Sequence, residues 1–444
     1  MSLATALRRR TAAPVPSRAR ARRDEGDDRT RGARARTAKP RAAAPPIEHR
    51  MLMTATLCLL AFGAVMVYSA SSSPGVLSGQ GLGTGTFIRY VLFAAIGLVA
   101  MQVLARRGVA LLDERMLRVF LFGSCGLLML VLVPGLGREV NGARRWFAAG
   151  PIEFQPSELV KLALVLYAAR YLADHPKRIG SRLLPLITPL AVVAGPACLL
   201  IVLEPDMGTA LVIAFTLGAL LLAAGTPPRQ LALLAAAGGV IALLFVLAEP
   251  YQRARLESFL HPWSSKSTTG FQAVQGQIAL GSGGVFGVGL GRSVQKIFYL
   301  PEAPTDFILA VVGEELGVVG IGLVAVLYGL LGYAGFRTAR RARDRYAKLL
   351  ASGLTSLILC QGVMNIFVVL GLVPLTGVPL PFISYAPTNL CVMLAAVGLL
   401  LNIAPPAKRL TVVEAPRSDT DRDRSWRDRR ARRARAGGSR RAAG

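Results

Sequence analysis

Apolar runs of roughly span length recur along almost the whole chain, separated by short polar stretches. Crossing a hydrocarbon core of roughly 30 Å takes about 20 such residues in a helix. Ten segments meet or approach that length: 51–70, 87–105, 116–134, 158–173, 184–203, 207–225, 230–248, 306–335, 347–373 and 382–403. The fourth is short and the eighth long, which predicts tilting or partial placement at the interface. The pattern predicts an all-α polytopic membrane protein of about ten transmembrane helices. One long structured segment, 249–305, interrupts it between spans seven and eight.

That segment carries its own signals. In FQAVQGQIAL, Phe271, Val274, Ile278 and Ala279 recur at helical spacing, which predicts a helix lying in the interface. The run GSGGVFGVGLG has no βαβ unit around it, so it is no dinucleotide fingerprint; its glycines permit tight turns and close backbone approach. Asp306 falls where the eighth apolar run begins, with Pro301 and Pro304 shaping the approach. A carboxylate at the lip of a membrane helix is costly to keep and points to function.

Composition narrows the class. Only 17% of residues are charged, too few for an ordinary soluble domain, which has about a quarter. The net charge of +27 comes mostly from two Arg-rich tails, 1–50 and 405–444, which cannot bury a core and read as disordered cytoplasmic segments resting on anionic lipid headgroups, not on nucleic acid. Arg and Lys in the short loops alternate in the manner of the positive-inside rule and put both termini in the cytoplasm. Cys58, Cys125, Cys198, Cys360 and Cys391 each lie within an apolar run and read as buried thiols.

Two outward segments break the charge rule. One holds Arg138, Arg144 and Arg145; the other, 249–305, holds Arg253, Arg255, Lys266, Arg292 and Lys296. Guanidinium forks suit phosphate oxygens, so Arg144 and Arg145, with Arg292 and Lys296 as companions, are candidates for holding a pyrophosphate. Glu158 and Lys161, three apart on one helix face, are either a salt bridge or part of a substrate site. Asp306, with Glu302 before it and Glu314 and Glu315 beyond it, is the candidate general base, within a stretch, 249–317, that reads as a substrate roof leading down to it. Prolines 374, 379, 381 and 387 forbid a regular helix and predict one wall of a lipid-accessible groove.

At these residues the sequence resembles the SEDS family (shape, elongation, division and sporulation), the FtsW/RodA membrane glycosyltransferases. The matching runs are NGARRWF, FQPSELVKLAL, EPDMGTALV, the whole of 251–317 and GLVPLTGVPLPFISY, in family order across nearly all of 51–404. PEAPTDFILAVVGEELG is more similar to the FtsW branch than to the RodA branch. The resemblance implies a ten-span fold and polymerisation of lipid II into glycan strands at the outer membrane face during division. Asp306 then activates the attacking 4-hydroxyl, and Glu158 and Lys161 match polar positions important in the family. It also implies a class B penicillin-binding protein as partner, alongside other division proteins and membrane lipids, and a place at the septum. No cofactor is specified, and a divalent cation is compatible with a pyrophosphate leaving group. The alternatives are a lipid II flippase, resting on Glu158, Lys161, Glu314 and Glu315, and a weakly active or non-catalytic division scaffold.

The chain departs from the family pattern at three places. Pro304 stands where His is usual, Glu204 replaces a usual Gln, and Ala386, Pro387, Thr388 and Asn389 replace a Gly-Gly-Ser-Ser run. These bear on affinity or rate more than on reaction class.

Overall fold

The computed structural model describes residues 46–77, 84–111, 113–140, 143–149, 152–179, 183–264, 270–297, 300 and 302–404. The two basic tails, apart from 46–50 and their disorder included, lie outside the described residues, as do Arg182, Lys266 and Pro301.

A helix occupies each of the ten predicted segments: α1 Ile47–Leu77, α2 Thr84–Leu111, α3 Glu114–Val131, α4 Pro156–Asp174, α5 Leu183–Leu203, α6 Met207–Ala224, α7 Pro228–Ala248, α10 Ile308–Arg341, α11 Arg345–Val369 and α12 Pro387–Ile403. Among the described residues seven of them are long and apolar enough to cross a membrane. The other three are α3, which opens on Glu114, Arg115 and Arg118; α4, which carries Glu158, Lys161, Arg170 and Asp174; and α12, only 17 residues long. The last predicted run, 382–403, loses its first five residues to irregular backbone, because the prolines before it cannot continue a helix.

Two elements went unanticipated. A small antiparallel sheet, β1 Arg138–Val140, β2 Ala143–Ala149 and β3 Ile152–Phe154, leads into α4. A short helix, α8 Pro250–Leu260, follows α7 after an extended Glu249, the conformation that a following proline favours. The helix expected in FQAVQGQIAL is present as α9, Phe271–Gly283. α4, α11 and α12 are the most enclosed helices, with Val165, Leu350, Leu354, Met393 and Val397 in the core. α2 runs against α12 so closely that a side chain at Gly398 would strike the Met101 carbonyl; small residues allow such contact where lipid gives helices no hydrophobic reason to associate. α7, by contrast, has no buried residue.

α10 is broken. Gly317, at φ 66° and ψ −161°, interrupts it nine residues in, about 14 Å along the axis at 1.5 Å per residue. The glycine-rich run fills the break. Val288 and Gly289 donate their N–H groups to the carbonyls of Glu314 and Glu315 at 2.9 and 3.0 Å, and Val318 and Val319 donate to Gly284 and Val285 at 3.1 and 3.2 Å. Gly287, at φ 81°, comes so near that a Cβ would lie 2.1 Å from the Glu315 carbonyl. The expected roof is corrected in this part: 284–297 runs down beside α10 instead of over Asp306.

Candidate functional site

Asp306 precedes α10 by two residues, in a turn held from both sides. Its own carbonyl accepts a bond from Asn365 Nδ2 of α11 at 2.7 Å, and the same nitrogen donates to the Val378 carbonyl at 2.8 Å. Tyr385 N–H donates to the Pro304 carbonyl at 2.9 Å. The backbone is therefore pinned, while the partly exposed carboxylate receives little: Thr305 Oγ1 lies 3.2 Å from Asp306 Oδ1 and is shared with Glu302 Oε2 at 2.8 Å. Burial first, and the Glu302 charge second, push the Asp306 carboxyl up to about 7, with Thr305 and Arg255 pulling the other way. A carboxyl that ionises near neutrality can take a proton from a hydroxyl and return it.

The proline-rich run 371–386 forms a wall beside this turn. A Cβ at Gly377 would lie 3.7 Å from Asp306 Oδ2, and its neighbours Leu375 and Thr376 edge a cavity of about 860 Å³ between α6, α7, α8 and α11. Phe215, Leu243, Val246, Met364 and Phe367 make its walls apolar, and Gln252 and Arg255 of α8 are its polar lining on that helix. The expected groove is therefore present, with Asp306 next to its wall.

The predicted cations divide. Arg144 Nη2 is 3.0 Å from Glu139 Oε2 across the β1–β2 pair. Arg145 clamps the α5–α6 turn, donating from Nε to the Glu204 carbonyl at 2.6 Å and from Nη2 to the Pro205 carbonyl at 2.5 Å. Lys296 is fully buried, 2.7 Å from Glu315 Oε1 and 3.0 Å from Ser69 Oγ of α1. Glu314 receives the Ser293 hydroxyl and the Val294 N–H. Lys296 thus anchors the descending segment to α10 and α1, and its expected phosphate-holding role is corrected on that ground. Arg292 is exposed on the same segment, with its side chain against Gly289.

Glu158 and Lys161 are the buried bridge that was one of the two readings, with Nζ to Oε2 at 2.8 Å. Lys161 also donates to Gln361 Oε1 at 2.7 Å, Gln361 donates to the Pro379 carbonyl at 2.9 Å, and Asn389 Nδ2 donates to Glu158 Oε2 at 2.7 Å. The network ties α4, α11 and α12 to the wall. All four charges behind the flippase reading have partners of this kind.

The departures fit their surroundings. The fold uses the Pro304 carbonyl, which proline retains. Thr388 Oγ1 accepts the Gln155 N–H at 3.1 Å, and Asn389 supports Glu158. Glu204 is wholly buried, with both carboxyl oxygens lacking a partner. Burial, then the Asp206 charge, push it up to about 9, Arg145 opposing. It is therefore neutral at pH 7, like the glutamine it replaces.

Sequence reasoning missed the supporting role of Ser69. Asn365 carried a signal as a polar residue beside the proline-rich run, and Arg255 as an outward cation, without their roles being read. Among the described residues no three His, Cys, Asp or Glu side chains gather as metal ligands.

A broken helix, a proline-built wall and an acid beside it, among helices apolar enough to cross a bilayer, define a polytopic membrane protein. Residues 49–409 match the FtsW/RodA/SpoVE family, described as "Cell cycle protein", and the chain belongs to that family. It is 40% identical over 359 residues to stage V sporulation protein E of Bacillus subtilis, covering 80% of this chain and 96% of that one. It is 39% identical over 367 residues to the probable peptidoglycan glycosyltransferase FtsW of Geobacter sulfurreducens, covering 81% and 95%. Among solved structures, the Thermus thermophilus rod shape determining protein RodA matches with TM-score 0.55 and 30% identity over 80% of this chain and 95% of that one. A chain from a structure titled as a peptidoglycan synthase complex coordinating polymerization and crosslinking matches with TM-score 0.64 and 31% identity over 80% and 96%.

Proposed function

We propose that the chain is a peptidoglycan glycosyltransferase that polymerises lipid II during cell division, with Asp306 as general base. The observation that carries this reading is an apolar cavity whose proline-built wall also flanks Asp306, an acid on a pinned backbone. The cavity suits a polyprenyl chain, and the acid beside its wall suits the sugar end.

In the reaction, Asp306 takes the proton of the incoming 4-hydroxyl. That oxygen attacks the anomeric carbon of the growing strand, and the bond to the lipid pyrophosphate breaks, its electron pair leaving with the phosphate. Configuration at the carbon inverts. Arg292, exposed on the segment beside α10, is a candidate cation for the charged parts of the substrate, whereas Arg144 is paired with Glu139. Glu158 and Lys161 act by holding the wall that faces Asp306.

Ten spans would put both termini in the cytoplasm and the Asp306 end of α10 at the outer face, at the septum. A class B penicillin-binding protein is the expected partner, since a structural relative is titled as a synthase that joins polymerisation to crosslinking. The test is polymerisation of lipid II by the purified chain with its transpeptidase. Wild type should give polymer and Asp306→Asn about 10²–10⁴-fold less; equal product from both would sink the reading.

A further inference from the structure

The outward cations expected to meet a pyrophosphate are mostly occupied: Arg145 by backbone carbonyls, Lys296 by Glu315, Arg144 by Glu139. Arg255 is placed differently. It sits on α8, lines the apolar cavity, and bonds through Nη1 to the Leu375 carbonyl at 3.1 Å, so its head is fixed to the wall that flanks Asp306. Its guanidinium lies over the Tyr251 ring at 4.7 Å, a contact that orients the plane without consuming its donors. Arg253, two residues earlier, is paired with Glu257 at 3.1 Å; among the described residues no carboxylate pairs with Arg255 in that way. A guanidinium has five N–H donors, and the Leu375 bond engages one of its nitrogens.

We propose that Arg255 is the residue that holds the leaving pyrophosphate of the lipid-linked donor, an inference that rests on the glycosyltransferase reading. The choice of donor over acceptor follows from the chemistry. The acceptor's own pyrophosphate is two sugar rings from the hydroxyl that Asp306 deprotonates. The donor's pyrophosphate is bonded to the carbon under attack, so only it must lie close to the base. Arg255 is bonded to the Leu375 carbonyl, two residues from Gly377, where a Cβ would lie 3.7 Å from Asp306 Oδ2. As the anomeric C–O bond breaks, negative charge grows on the bridging phosphate oxygen, and a fork already fixed in the cavity lining meets it without rearrangement.

The test uses the full chain in nanodiscs, titrated with undecaprenyl pyrophosphate and, separately, with undecaprenol, which has the same tail and no phosphate. Arg255→Gln should weaken the pyrophosphate lipid by about tenfold or more and leave the alcohol unchanged. Arg255→Lys should fall between, keeping charge without the fork, and Arg253→Gln should match wild type. Equal loss for both lipids would mean that Arg255 only braces the wall, and would overturn the proposal. So would unchanged binding in Arg255→Gln, or a wild type that does not prefer the pyrophosphate. If the wild type prefers it and Arg255→Gln loses that preference, but lipid II is never polymerised, the glycosyltransferase reading fails while the phosphate site stands. If polymer forms and Arg255→Gln binds normally, only the phosphate site fails.

Discussion

Two regions keep carboxylates within or beside the membrane, and they treat them differently. Around α4 and the middle of α10, each charge is surrounded: Glu158 has Lys161 and Asn389, Glu315 has Lys296 and Ser69, and Glu314 has a hydroxyl and backbone N–H groups. At the head of α10, Asp306 has its backbone tied by Asn365 and its side chain served by one shared hydroxyl. Partners are thus concentrated on charges that hold broken backbone in place. Of the acids short of partners, Glu204 is sealed in the core, and Asp306, partly exposed, is the one whose proton can move.

Substitutions can break that contrast. Asp306→Asn should remove polymerisation by about 10²–10⁴-fold while leaving the melting temperature in detergent nearly unchanged. Lys296→Met should do the reverse of a catalytic loss: it strands Glu315 and destabilises the fold by about 3–5 kcal/mol, whereas adding Glu315→Leu should recover most of it. Thermal unfolding of both variants reads this, and polymerisation by the double variant shows that the pair is structural.

Glu204 offers a smaller test. In the fold its carboxyl keeps its proton up to about 9, but in the unfolded chain it ionises above the ordinary 4.5. The unfolded state therefore binds fewer protons in that window, and stability falls as pH rises through it. Glu204→Gln should raise the melting temperature at pH 7–8 and change it little near pH 4.5. Last, the rate should climb with pH through about 7 as Asp306 ionises, and Glu302→Gln, which removes the neighbouring negative charge, should move that limb to lower pH. A pH–rate profile of wild type and variant checks both the value and the direction.

The helices were legible because a bilayer requires long apolar runs and tolerates few exceptions. Asp306 was legible for the same reason, as a charge at a helix lip. The Glu158–Lys161 bridge could be read from three-residue spacing. What sequence could not supply was contact across distance. Lys296 meets Ser69 from 227 positions away and Arg255 meets Leu375 from 120. Local charge counting made Lys296 and Arg145 look available, because it sees a cation and its neighbours but not the carbonyl or carboxylate that the fold delivers. The sheet before α4 was missed because its three short strands carry no clear alternation of apolar and polar residues.

The break at Gly317 bears on how the chain is assembled. A helix threaded alone into lipid would expose Glu314, Glu315 and the interrupted backbone to hydrocarbon, where each unmet polar group is expensive. Their partners lie in the preceding residues 284–296 and, for Glu315, also at Ser69 of α1. The outer end of α10 can therefore settle only against the glycine run, so the two form one folding unit.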